Sequence, residues 1–95
     1  MTRLADAEIE AKLREAPGWA RAGDAIERDW TFANVREALA WVNRVGELAE
    51  ELNHHPDILV HGWNNVRLTL ITHDVGGLTR ADVEMAGRID DVPVS

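Results

Sequence analysis

The chain has 95 residues, 45% hydrophobic and 28% charged, with 10 basic against 17 acidic side chains and a net charge of −7. That length holds one domain, residues 1–95, which buries little more than ~60% of its unfolded surface, so assembly into an oligomer is an expected source of stability. The charge excludes a nucleic-acid partner, which needs clustered Lys and Arg; no apolar run approaches the ~20 residues that span a membrane; and the lack of cysteine excludes disulfides and thiolate metal sites.

Met1 to Asp6 lacks the hydrophobic stretch of a signal peptide, which fits a cytoplasmic protein. A first helix is predicted over about Asp6 to Glu15. Asp6 and Glu8 stand in its first turn, where negative charge suits the helix dipole, Ile9 and Leu13 form an apolar stripe, and Pro17-Gly18 ends it. Trp19 to Arg21 reads as a short strand and Gly23-Asp24 as a turn. Ala25 to Phe32 alternates, with Ile26, Arg28, Trp30 and Phe32 on one parity and Glu27, Asp29 and Thr31 on the other. The two strands make a hairpin.

Asn34, with Glu37 three residues on, opens the central helix as a variant capping box. Val35, Leu39, Val42, Val45, Ala49 and Leu52 follow at spacings of three and four, Trp41 and Leu48 widen the stripe, and Pro56 forbids continuation beyond about Asn53. Ile58 to Val60 and Val66 to Thr72 are the next strands, with Asn64-Asn65 as the turn. Val66, Leu68 and Leu70 face one way; Arg67, Thr69, Ile71 and His73 face the other. Asp74 to Gly77 is a loop. Thr79-Arg80-Ala81-Asp82 is a second capping box, stapled by Leu78 and Val83, and its helix reaches about Ile89. The order α-β-β-α-β-β-α predicts an α+β fold, a four-stranded antiparallel sheet with helices packed on one face.

The chemistry concentrates around Glu50 and His54-His55-Pro56. An adjacent histidine pair where a helix stops is hard to explain as packing, and imidazole both gives and takes protons near neutral pH. The competing structural reading is a polar helix end, where imidazolium meets the dipole favourably. For His73 it is an exposed strand end, and for Asp82 the N3 place of a capping box. Glu50 lies one helical turn before His54, so a helix that persisted would pair them. Pro56 holds His55 extended. His61 stays outside the site.

Glu50, His54-His55-Pro56, Trp63, His73 and Asp82, with Pro17-Gly18-Trp19 and Thr72-His73-Asp74-Val75-Gly76-Gly77-Leu78 around them, resemble the pterin-4a-carbinolamine dehydratase signature over almost the whole chain. The resemblance implies the α+β fold reached above and a hydro-lyase that dehydrates 4a-hydroxytetrahydropterins to quinonoid dihydropterins, in tetrahydrobiopterin recycling, with no metal and no organic cofactor. It implies that His54 and His73 flank the ring as acid and base in either order, and that His55 anchors the substrate or shares the proton work. Glu50 supports His54. Thr72, Asp74 and Val75 offer the pterin rim polar backbone contacts, Pro56 and Trp19 border the pocket, and Asp82 stands behind with a contact to His73. Trp63 reads as packing. Val75 stands where animal members can carry a cysteine, so no thiol takes part. The family habit implies a dimer or tetramer. Two other readings compete: a non-enzymatic dimerisation or coactivator-type module with a protein partner, and, weakest, a metal site at Glu50, His54 and His73.

Overall fold

Alternation in two strands decides the architecture. The computed structural model describes residues 2–94. In it β2 (Ala25–Thr31) pairs antiparallel with β4 (Asn65–Leu70), setting Ile26 opposite Leu70, Arg28 opposite Leu68 and Trp30 opposite Val66. Val66, Leu68 and Leu70 are wholly buried, and each such side chain contributes about 1.5–3 kcal/mol relative to exposure. β1 (Ala20–Ala22) and β3 (Asp57–His61) flank this pair, giving the antiparallel order β1-β2-β4-β3. The apolar sheet face is covered by helices α1 (Asp6–Arg14), α2 (Val35–Leu52) and α3 (Arg80–Asp90), which send Ile9, Trp41, Val45, Met85 and Ile89 into one core. The α+β fold with helices on one face is thus the observed one.

Arg28 shares the parity of buried residues, and its neighbours explain why. Its Nη1 donates to Asp90 Oδ1 at 2.7 Å, and its guanidinium lies 4.9 Å from the Trp30 ring centre. The Trp19 indole N–H donates to the same carboxylate at 3.0 Å. Gly18 makes room for this group, since a Cβ there would fall 2.4 Å from the guanidinium carbon.

The central helix is rotated relative to its predicted stripe. Asn34 Oδ1 accepts from the Glu37 amide at 2.9 Å, as the capping motif requires. The buried side chains are Ala38, Trp41, Val45, Leu48 and Ala49, while Val35 and Leu39 are exposed. Trp41 decides this angle. Its ring packs against Trp30 at 4.5 Å and Phe32 at 5.4 Å, and burying that large surface outweighs hiding Val35 and Leu39.

Boundaries shifted where turn chemistry intervened. The first strand starts one residue later than predicted, at Ala20. The β3–β4 turn places positive φ at Gly62 and Trp63, not at Asn64-Asn65. That conformation throws the Trp63 indole outward, 63% exposed, where packing was expected. Asn64 instead latches the turn to β2, donating from Nδ2 to the Phe32 carbonyl at 2.8 Å. Strand β4 ends at Leu70, short of the predicted Thr72. Thr72 then bridges to Gly77, and His73–Val75 form one 3-10 turn closed by Gly76 at φ +61°. His73 therefore leaves the sheet surface on which strand parity had placed it. No helix among the described residues is long and apolar enough to cross a membrane.

Candidate active site

The end of α2 sets the two adjacent histidines on different courses. Asn53 adopts left-handed backbone at φ +51°. Its amide bonds to the Glu50 carbonyl at 3.3 Å and the next amide, His54, to the Ala49 carbonyl at 3.1 Å. This is a Schellman closure, with asparagine in the place glycine usually takes. The helix therefore stops before His54, and the one-turn pairing of Glu50 with His54 does not form. Glu50 Oε2 meets His55 Nε2 instead. Both partners are exposed, so the contact orients the ring more than it stabilises the fold. Buried Pro56 follows and turns the chain into β3.

His54 points inward, its side chain 18% exposed, and its Nε2 lies 2.5 Å from Oδ1 of Asp82, whose side chain has no exposure. Asp82 was expected to reach His73, and the structure corrects this: it serves His54. The reason lies at the start of α3. Asp82 is the N3 residue of the Thr79 capping box, and its Oδ2 accepts from the Thr79 amide at 2.9 Å. The helix start aims the carboxylate inward, and Oδ1 remains for the imidazole. Oδ2 also accepts from the Thr72 hydroxyl at 2.7 Å. A carboxylate accepting three bonds at zero exposure is a satisfied buried charge.

His73 follows Thr72 directly, so the loop that carries it is tied to His54 through a single carboxylate. The His73 ring makes no hydrogen bond or ion pair with any described residue, and it is exposed. Thr72 was expected at the substrate rim through its backbone. Its amide donates to the Gly77 carbonyl at 2.9 Å, and its carbonyl accepts from Val75 and Gly77, so these groups close the loop. Asp74 is exposed and Val75 half-buried on the same turn.

A cavity of about 670 Å³ opens against His54, bounded by Leu4, Leu52, Thr79, Arg80 and Glu84 among others. The N-terminal segment forms one wall, held by the Leu4 amide on the Leu78 carbonyl at 2.7 Å. Of the three histidines, this cavity meets His54 alone. Trp19 does not border it; its ring belongs to the core beside Trp30 and Asp90. Thr79 escaped the sequence reading as a site residue. The signal was present in the capping box, because an N3 aspartate bonded to its cap has one oxygen free to point elsewhere. No group of three or more His, Cys, Asp or Glu among the described residues is arranged to hold a metal ion.

Comparison with known proteins places the chain in a family. A family model described as pterin 4 alpha carbinolamine dehydratase matches residues 2–92. A protein of Thermomicrobium roseum, provisionally named pterin-4-alpha-carbinolamine dehydratase, is 51% identical over 97% of this chain and 98% of its own length. One from Thermosynechococcus vestitus, with the same provisional name, is 44% identical over 97% of this chain and 96% of its own. Among solved structures, a transcriptional coactivator/pterin dehydratase from Brucella melitensis superposes with a TM-score of 0.89 at 31% identity, over 96% of this chain and 98% of that one. A pterin dehydratase-like RuBisCO assembly factor of the alpha-carboxysome shares the fold, with a TM-score of 0.66 at 23% identity over 79% of this chain and 88% of its own. From Thr2 to Val92, this chain belongs to the pterin 4 alpha carbinolamine dehydratase family.

Proposed function

We propose that the protein is a hydro-lyase converting a 4a-hydroxytetrahydropterin to the quinonoid dihydropterin and water, by histidine acid–base catalysis and in the service of tetrahydrobiopterin recycling. The observation that carries the reading is the bond from His54 to buried Asp82, itself tied to the residue before His73. The 4a-hydroxyl leaves as water once protonated. The adjacent ring nitrogen gives up its proton as its lone pair forms the new double bond. One group must donate and one accept at the same pH, work to which imidazoles are suited. Asp82 holds His54 in one orientation, Glu50 steadies the exposed His55, and unpartnered His73 remains able to turn toward a bound ring. Asp74, Val75 and Pro56 lie beside these histidines in sequence and frame the pterin edge. Dehydration of a 4a-hydroxytetrahydropterin by His54→Ala and His73→Ala tests the assignment: each variant loses on the order of 10²-fold or more in rate, and two unchanged rates would remove both histidines from the mechanism.

The surface favours a homo-oligomer. Strand β3 is an open edge whose residues are all exposed, Ile58, Leu59 and Val60 among them, and Val35 and Leu39 leave a second apolar patch on α2. Flat apolar edges invite pairing with another strand, and a second copy supplies an identical one. The same edge supports a second reading, docking to a regulatory protein as a coactivator-type module, in line with the name of the Brucella structure. A stoichiometric regulator recovered with both wild type and His54→Ala would favour it; recovery of nothing beyond the protein's own copies would reject it.

A further inference from the structure

One copy of the chain leaves its site open on one side. The cavity meets His54, but the His55 side chain is 55% exposed and His73 is exposed on its loop. Ligand sites bury about 70–90% of the surface of what they bind, so two of the three histidines lack a wall. The molecule also holds an aromatic ring with no place in its own copy. Trp63 sits at φ +58°, and its indole is 63% exposed, without a ring contact to any described residue. Left-handed backbone costs a residue with a side chain about 1–3 kcal/mol.

Strand β3 brings ring and opening together across a two-fold axis. Opposed residues share a sheet face, so Ile58 and Val60, opposite Leu68 and Val66, lie on the helix-covered face, and Leu59, opposite Arg67, lies on the outer one. Pairing of β3 with a second copy keeps these faces only in alternate registers, because a slip of one residue exchanges them. Antiparallel pairing centred on Leu59 packs Ile58 against the second copy's Val60. It also sets Asp57 opposite the second copy's His61, a carboxylate facing an imidazole at both ends. A slip of two residues sets Asp57 or His61 against Leu59 instead. In the centred register Pro56 meets the second copy's Gly62, and His55 meets its Trp63. Pro56 has no N–H to donate, so the ladder ends there and the turn of the second copy lies over His55.

We infer that the site is shared between two copies: the Trp63 indole of one forms the missing wall beside His55 of the other, a flat face on which the pterin ring stacks. The inference rests on the dehydratase reading for the identity of the ligand, and on the β3 edge alone for the pairing. A planar heterocycle and an indole bury wide apolar faces against each other, and offset stacking adds to that burial. A two-fold axis makes the exchange mutual, so each pair of copies holds two complete sites. The turn fixes the ring outside its own copy, and little ordering remains when the second copy docks.

The chain has no cysteine, so single substitutions read the register without reference to activity. Of Ile58→Cys, Leu59→Cys and Val60→Cys, only Leu59→Cys stands opposite its own copy and gives a cross-linked dimer on oxidation, since opposed Cα atoms lie about 4.5–5.5 Å apart, within disulfide reach. Trp63→Gly suits the positive φ and removes the wall, whereas Trp63→Phe keeps a smaller ring. Calorimetric binding of a fully oxidised pterin weakens about tenfold in Trp63→Gly and recovers in part in Trp63→Phe, while light scattering still finds the dimer. Co-expression of His54→Ala and Trp63→Gly copies in equal amounts makes about half of the pairs mixed, each with one site that joins an intact His54 to an intact Trp63. Dehydration kcat/KM then reaches about a quarter of wild type, several times the summed activity of the two variants made separately. Cross-linking at position 58 or 60 instead of 59, unchanged pterin affinity in Trp63→Gly, or mixed copies no faster than that sum overturns the inference. Absence of dehydration in wild type, with the Leu59→Cys cross-link and Trp63-dependent pterin binding both observed, strikes only the functional reading.

Discussion

Replacing Asp82 by Asn separates the site's charge from its shape. The wild-type carboxylate accepts bonds of 2.5, 2.7 and 2.9 Å from His54 Nε2, the Thr72 hydroxyl and the Thr79 amide, with no solvent contact. Asparagine offers one oxygen and one NH2 group. With the oxygen on Thr72 and Thr79, the NH2 faces His54, and the imidazole must carry its lone pair on Nε2 and its proton on Nδ1. With the oxygen on His54, the NH2 confronts two donors, which is the worse outcome. The first arrangement exchanges a charge-assisted bond for a neutral one and loses at most about 1.5–3 kcal/mol. At about 4–8 °C per kcal/mol for a domain of this size, the thermal midpoint falls by no more than roughly 6–24 °C. The site also presents the wrong nitrogen, so the dehydration rate drops on the order of 10²-fold or more. Circular dichroism melts and initial rates on the same preparation measure both. A midpoint and rate equal to wild type would refute the claim that Asp82 anchors His54.

On the outer sheet face, the Asp29 carboxyl is held below the ordinary carboxylate range, chiefly by the hydrogen bond from Arg67 Nε at 2.8 Å and also by that residue's charge. A depressed folded value gives stability that is present above about pH 4 and is lost as pH falls through the folded value. Asp29→Asn should flatten this part of the acid unfolding curve, and, because the pair is exposed, high salt should shrink the difference. Leu59 is 51% exposed on the open β3 edge. Leu59→Lys should lower the molar mass measured by light scattering with little effect on the fold of each copy, since charged residues on an edge oppose pairing; an unchanged mass would reject pairing through β3.

The elements were legible because their signals are local. Alternation at Val66, Leu68 and Leu70 and the Thr79–Asp82 cap each read correctly from a few neighbouring residues. The errors arose where a local rule met a break or a distant partner. One-turn arithmetic paired Glu50 with His54, but that rule ends with the helix, and Asn53, a residue that tolerates left-handed backbone, ended it one position too soon. Asp82 and His54 are 28 residues apart, a separation no helical or strand period reaches. The orientation of α2 was set by Trp41 against Trp30 and Phe32, a tertiary choice that left Val35 and Leu39 in solvent. Trp63 was mistaken for packing because large aromatics are usually buried, whereas turn geometry held it out.

The most direct measurement mixes the purified protein with freshly generated 4a-hydroxytetrahydropterin and follows the quinonoid dihydropterin by ultraviolet absorbance. The account predicts product formation faster than the spontaneous rate, in proportion to protein concentration, and abolished when His54 and His73 are both alanine. Appearance of product at the spontaneous rate, whatever the amount of protein, would contradict it.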